Sequence, residues 1–128
     1  MRERIYFVLF VIMFIAVMTQ GCSVANRFGK GIEAAGGPEA TDEGVRFTIF
    51  STKIEKVSIA GDFNNWSMTS DPLHDMDGTG TWTILLPISP GRYEYKFVID
   101  GENWIPDPGN PEQTDDGFGG VNSLLIVE

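Results

Sequence analysis

Tyr93, Tyr95, Phe97 and Ile99 occupy every second position of one stretch, and Arg92, Glu94, Lys96 and Val98 fill the positions between them. A period of two sends alternate side chains to opposite faces of an extended chain, so this stretch is a strand with one face in a core and the other in water. The alternation recurs. Val45, Phe47 and Ile49 alternate with Arg46 and Thr48; Val57 and Ile59 with Ser58 and Ala60; Trp82, Ile84 and Leu86 with Thr81, Thr83 and Leu85. Residues 123–127 close the chain with a denser apolar run. Turn-forming clusters separate these segments: Ser51-Thr52-Lys53, residues 62–71, Asp77-Gly78-Thr79-Gly80, Ser89-Pro90-Gly91, Asp100-Gly101, and a Pro-, Gly- and Asp-rich stretch over 106–120. Short strands spaced by such turns predict an all-β fold over residues 44–128, an immunoglobulin-like antiparallel β-sandwich.

The chain before Gly44 has a different character. Arg2 and Arg4 precede residues 5–18, a run without charge, Pro or Gly. A spanning helix wants about 20 apolar residues, so this shorter run reads as the h-region of an export signal. Gly21 and Cys22 follow directly, and the arrangement resembles a bacterial lipoprotein signal whose cysteine takes lipid at its thiol and becomes the mature N-terminus. It departs from that pattern at Thr19 and Gln20, where such signals prefer Leu and a small residue. The alternative is an ordinary or uncleaved signal with Cys22 incidental. Lipidation implies a membrane-anchored protein of the bacterial cell envelope, on the periplasmic or surface side. Residues 22–43 are rich in Ser, Ala, Gly and charges and contain Gly36-Gly37-Pro38, which predicts a flexible linker. Three segments result: a signal over 1–21, a linker over 22–43 and a β-domain over 44–128.

Charge and cysteine content exclude several function classes. Acidic residues outnumber basic ones 18 to 9, for a net charge of −9, the wrong sign for binding nucleic acid or an anionic lipid surface. One cysteine makes no intramolecular disulfide and cannot supply a structural zinc site. Asp75-Met76-Asp77-Gly78-Thr79-Gly80 opens like a calcium loop, but the twelfth position is Leu86 and a strand pattern follows where a calcium hand needs a helix, so it reads as a turn. Asp71, Asp75, Asp77, Asp107, Asp115 and Asp116 could supply paired carboxylates for glycoside hydrolysis, yet each stands in a polar turn where acids are common and solvated. His74 stands alone and reads as a surface residue. No catalytic residue, metal or cofactor is indicated.

Two tryptophans sit in turns. Trp66 closes Phe63-Asn64-Asn65-Trp66 after a strand ending at Gly61, and Trp104 follows the reversal at Asp100-Gly101-Glu102-Asn103. Each could fold inward to cap one end of the sandwich. The alternative is an exposed platform: a sugar offers a patch of C–H groups that a flat indole matches, while amides and a long cation bond its hydroxyls. Trp82 differs, because it shares a strand face with Ile84 and Leu86 and belongs to the core.

Gly61-Asp62-Phe63-Asn64-Asn65-Trp66, Asp77-Gly78-Thr79-Gly80-Thr81-Trp82, the run from Pro90 through Tyr93-Glu94-Tyr95-Lys96-Phe97 to Asp100-Gly101, Trp104 and Val121-Asn122 resemble, in order and spacing, the family-48 carbohydrate-binding modules. That family includes the glycogen-binding domain of the AMP-activated protein kinase beta subunit and the N-terminal modules of starch-debranching and glycogen-branching enzymes. The resemblance spans residues 44–128. It implies an immunoglobulin-like sandwich that binds α-1,4-linked glucan such as glycogen, starch or maltooligosaccharide. By position it implies Trp66 and Trp104 as stacking platforms, Lys96 and Asn122 as hydroxyl partners, and Phe118 as the loop residue that reaches over the sugar. The kinase module has an aliphatic residue and a threonine where this chain has Phe118 and Gly120, so one hydroxyl contact is lost and Phe118 adds an aromatic surface.

The resulting expectation is a non-catalytic, lipid-anchored, glucan-binding module. Two alternatives are the same sandwich serving as a protein-interaction domain, and an accessory unit of a separately encoded glucan-active enzyme.

Overall fold

Each stretch of alternating sequence forms a strand in the computed structural model, which describes residues 31–128; the expected signal and Cys22 lie outside the described residues. The strands are β1 (Glu33–Ala34), β2 (Glu39–Thr41), β3 (Gly44–Phe50), β4 (Val57–Gly61), β5 (Thr81–Leu86), β6 (Gly91–Ile99), β7 (Asn103–Ile105), β8 (Gln113–Asp115) and β9 (Val121–Val127). All named pairings are antiparallel. In one sheet β3 is central, with β5 along one edge and β1 and β2 following one another along the other. In the second sheet β6 is central: β4 lines one edge, β9 and β7 share the other, and β8 pairs with β9.

The two sheets face each other across the apolar set that the alternation selects. Val45, Phe47 and Ile49 of β3 and Tyr95, Phe97 and Ile99 of β6 are all buried. Phe47 meets Tyr95 edge-on with ring centroids 5.1 Å apart, a geometry worth about 0.5–1.5 kcal/mol beyond the area it buries. Trp82, Ile84 and Leu86 of β5 pack on the same core, and the Trp82 indole N–H donates to the Ser51 carbonyl. This is the expected β-sandwich.

Besides β7 and β8, short strands in stretches that read as turns, three features depart from the sequence-based expectation. Within the linker expected over residues 22–43, the described part is built into the sandwich rather than free. Glu33 and Ala34 pair with Phe50 and Ile49, Glu39 through Thr41 pair with Arg46 through Gly44, and Ile32 is buried in the core. Segments of two and three residues are too short to show a period of two, so composition dominated the reading.

β4 was expected to be half-buried, yet all five of its residues are buried. The chain after Trp66 returns over it. The Ile59 N–H donates to the Asp71 carbonyl, the Leu73 N–H to the Val57 carbonyl, and the Ser58 hydroxyl to the Met68 carbonyl at 2.7 Å. These bonds occupy an edge that would otherwise offer unpaired backbone groups to other chains.

Asp107 was expected in a solvated turn and is only 1% exposed. Tyr95 donates its hydroxyl to Asp107 Oδ2 at 2.7 Å, the Gly109 N–H donates to Oδ1 at 2.8 Å, and the Asp107 N–H donates to Ser123 Oγ at 2.7 Å. Asn110 Nδ2 donates to Tyr95 Oη and to the Leu124 carbonyl. Burial pushes the Asp107 carboxyl up from its ordinary value, against the opposing pull of the Tyr95 and Gly109 hydrogen bonds. Burial first, and then the neighbouring Asp107 charge, push the Tyr95 phenol up as well. The network ties the chain after β7 to the inner face of β6 and β9. Ser123 is the immediate neighbour of Asn122, so the register of β9 beneath the outer face is held from inside.

Candidate functional site

The turn after β4 converts a buried strand into a surface platform within five residues. At Gly61 an added Cβ would come within 2.6 Å of the Glu94 carbonyl oxygen and 2.7 Å of Tyr95 Cβ, so only glycine lets β4 lie this close to β6. Phe63 turns inward against Phe47, Tyr93 and Tyr95. Asn64 closes the turn: its Oδ1 accepts the Gly61 N–H at 3.0 Å, and its Nδ2 donates to the Ile59 carbonyl and to Asp71 Oδ2. Asn65 and Trp66 then both take left-handed backbone conformations, with φ of 55° and 58°. Such conformations cost non-glycine residues roughly 1–3 kcal/mol each and cluster where geometry serves a function. The Trp66 N–H bonds to the Gly61 carbonyl at 2.9 Å, and its indole Nε1 donates to Asp62 Oδ1 at 3.0 Å. The result is a half-buried indole held at the surface.

Trp104 reaches the same face from another direction. It stands opposite Val98 in the β6–β7 pair, so its side chain shares the outer face of β6 with Val98 and Lys96, and it is 40% exposed. A three-residue reversal at Asp100, Gly101 and Glu102 makes this hairpin, with Asp100 and Gly101 at positive φ and the Glu102 N–H returning to the Ile99 carbonyl. Asp100 Oδ1 also accepts the Glu55 and Lys56 N–H groups, which fixes the hairpin to the chain entering β4.

The loop between β8 and β9 supplies the remaining wall. Asp116 Oδ1 accepts the Phe118 N–H at 2.7 Å and the Gly120 N–H at 3.0 Å, while the Asp116 N–H donates to the Gly120 carbonyl. Its Oδ2 accepts from Lys96 Nζ at 3.0 Å. The Phe118 amide and then the Lys96 ammonium hold the Asp116 carboxyl below its ordinary value. Phe118 stands at the tip of the loop, 94% exposed. Asn122 Nδ2 donates to Glu94 Oε1 at 3.3 Å.

Trp66, Lys96, Trp104, Phe118 and Asn122, with Asp116, therefore line one open groove of about 340 Å3. All five residues expected at a site converge there. Lys96 faces outward as its strand position requires, but it is already paired with Asp116. In sequence Asp116 stands as one more turn acid, yet in the structure it is a member of this groove. It also accounts for Gly120, where a Cβ would lie 2.7 Å from Asp116 Oδ2. The carboxylate occupies the side on which a residue-120 hydroxyl is missing. Asp62 also belongs to the site, and an aspartate four residues before a turn tryptophan is the signal for it in the sequence. Asp75, in the rejected calcium motif, spends both oxygens on the Thr79 and Gly80 N–H groups of its own turn.

A family model for carbohydrate-binding module 48, described as the isoamylase N-terminal domain, matches residues 33–116. This chain belongs to that family. The module is 36% identical over 74 residues to the 5'-AMP-activated protein kinase subunit beta-2 of Homo sapiens, covering 58% of this chain and 25% of the kinase subunit. It is 31% identical over 70 residues to the 1,4-alpha-glucan branching enzyme GlgB 2 of Rhizobium etli, covering 53% of this chain and 10% of the enzyme. It is 35% identical over 81 residues to the chloroplastic protein FLOURY ENDOSPERM 6 of Oryza sativa subsp. japonica, covering 63% and 14%. The module thus spans between a tenth and a quarter of the length of these relatives. The family match begins at Glu33, which agrees with β1 and β2 belonging to the sandwich.

Proposed function

We propose that the module binds α-1,4-linked glucan without catalysis, in the groove between Trp66 and Trp104. The observation that carries this reading is the convergence of two surface indoles, Lys96, Asn122 and Phe118 on one groove from four separate segments of the chain. The indole faces stack on the C–H patches of glucose units, and Lys96 and Asn122 bond hydroxyls at their rims. The test is a titration of the chain with maltoheptaose. Trp66→Ala and Trp104→Ala are each expected to weaken binding while the domain stays folded. Stacking on one glucose removes about 100 Å2 of apolar surface from water, roughly 2.5 kcal/mol before ordering costs reduce it. Two folded variants that bind as well as wild type would defeat the platform reading.

The same reading extends to placement in the cell. The basic, then apolar, then Gly21-Cys22 order at the N-terminus supports export to the bacterial cell envelope with a lipid on Cys22, so that the module is displayed from a membrane.

A further inference from the structure

The groove contains a closed ion pair, which bears on which glucans can enter. Lys96 is the one cation among the residues that line it. Its Nζ lies 3.0 Å from Asp116 Oδ2, and the two side chains are only 17% and 12% exposed. Arg92, the next cation along β6, is four positions away, about 13 Å along the strand. Two further carboxylates are bonded to groove residues, Asp62 to the Trp66 indole and Glu94 to Asn122. One carboxylate therefore closes on the groove's one ammonium and two more are bonded to groove residues, on a chain whose net charge is −9.

This arrangement treats neutral and anionic sugars differently. Lys96 donates one of its three N–H groups to Asp116, and two remain for hydroxyls; the carboxylate oxygens accept from hydroxyls in turn. A neutral sugar therefore meets both donors and acceptors without disturbing the pair. A phosphate monoester carries about −1.5 to −2 charges at pH 7 and offers mainly acceptors at that pH. It can take the two remaining Lys96 N–H groups only beside the Asp116 carboxylate or after displacing it, and beside it the phosphate meets a like charge in a partly desolvated groove, where repulsion is stronger than in water. We propose that Asp116 is a specificity-determining residue that restricts the groove to uncharged glucans and excludes phosphorylated ones. This inference rests on the glucan-binding reading of the groove.

The experiment titrates the full chain with maltoheptaose and with maltoheptaose carrying O6 phosphate monoesters, each at low salt. Wild type is expected to bind the phosphorylated ligand at least about tenfold more weakly. Asp116→Asn retains an Oδ1 to accept the Phe118 and Gly120 N–H groups while removing the charge that occupies Lys96. In this variant, shown folded by thermal melting, the ratio of the two affinities is expected to shift by at least about tenfold toward the phosphorylated ligand. That gain should shrink at 1 M salt, though less than for a fully exposed pair, because a partly buried ammonium–phosphate contact is only partly screened. Lys96→Gln removes the cation and leaves the carboxylate unpaired, and it should discriminate at least as strongly as wild type. Equal binding of both ligands by wild type overturns the proposal and leaves glucan binding intact. Unchanged discrimination in folded Asp116→Asn, or weakened discrimination in Lys96→Gln, overturns the role of Asp116. Binding of neither ligand by wild type overturns the glucan reading itself.

Discussion

Trp66 Nε1 donates to Asp62 Oδ1 at 3.0 Å, and the other oxygen of the same carboxylate accepts the Glu94 N–H at 2.8 Å. One aspartate thus ties an indole platform to the central strand of the second sheet. Asp62→Ala frees the indole to rotate and leaves the left-handed Asn65 and Trp66 held by fewer bonds. Its affinity for maltoheptaose is expected to fall about three- to tenfold, roughly 0.65–1.4 kcal/mol. Loss of the bonds should cost about 1 kcal/mol of stability, or about 4–8 °C in Tm for a domain of this size. Titration calorimetry and a thermal melt read both effects, and wild-type affinity in a folded variant would remove Asp62 from the site.

Salt separates glucan binding from protein binding. Stacking and hydroxyl bonds at Trp66, Trp104, Lys96 and Asn122 release no condensed counterions, whereas a basic partner held by the acidic surface of this chain is attracted through charges that salt screens. Retention on amylose is expected to change less than about threefold between 0.01 M and 1 M salt, where the Debye length falls from about 30 Å to about 3 Å. A hundredfold fall would favour the protein-interaction alternative.

Asp107 and Asp116 predict opposite pH dependences of stability. The Asp107 carboxyl is raised by burial, so as pH rises past 3.8 the unfolded chain releases this proton before the folded one. Its stabilising contribution is complete below 3.8 and is lost as pH climbs through the raised value. The Asp116 carboxyl is lowered by the Phe118 amide and Lys96, so its contribution is present above 3.8 and is lost as pH falls through the lowered value. Urea midpoints across pH 2 to 8 should therefore decline less steeply with rising pH in Asp107→Asn than in wild type. Asp116→Asn should decline less steeply with falling pH. Parallel curves for wild type and both variants would contradict both assignments.

The start of the folded unit is tested by truncation. A fragment of residues 44–128 lacks buried Ile32 and uncovers the β3 edge that β1 and β2 occupy. Burying an Ile side chain contributes about 1.5–3 kcal/mol, so this fragment is expected to be at least about 2 kcal/mol less stable than residues 31–128. It should also self-associate more through the open edge. Equal urea midpoints for the two fragments would return residues 31–43 to the role of a linker.

Export is tested at Cys22. Metabolic labelling with a fatty acid is expected to mark the protein, and Cys22→Ser should abolish the mark while leaving the apolar run of residues 5–18 intact. An unlabelled wild-type protein would mean a plain signal or an uncleaved anchor.

Much of the site was legible before any fold was known, for a local reason. Trp66 stands among turn residues, where a large apolar side chain has no strand face to bury it, Trp104 directly follows a turn and lies on the outer face of the short strand β7, and Lys96 lies on the polar side of an alternating strand. The acids were not legible. Asp62, Asp107 and Asp116 all stand in polar turn sequence, yet one steers an indole, one is buried beneath β6 and one closes an ion pair in the groove. For Asp107 and Asp116 the difference comes from partners far along the chain, Ser123 and Tyr95 for the one and Lys96 for the other; Asp62 meets Trp66 locally, and only its anchor at the Glu94 N–H is distant.

The sequence by itself determined the long strands and their inward faces, because a period of two is a property of neighbouring residues and needs no tertiary contact to express it. It also determined the turn after β4, where Gly61 and Asn64 act within a few residues of one another. Only the tertiary structure decided that residues 33–41 pair with β3, that a returning loop buries the outer face of β4, and that Asp116 meets Lys96. Those outcomes depend on which segments are brought together when two sheets close on one core, and a charge or a short strand carries no periodic mark of the partner it will meet.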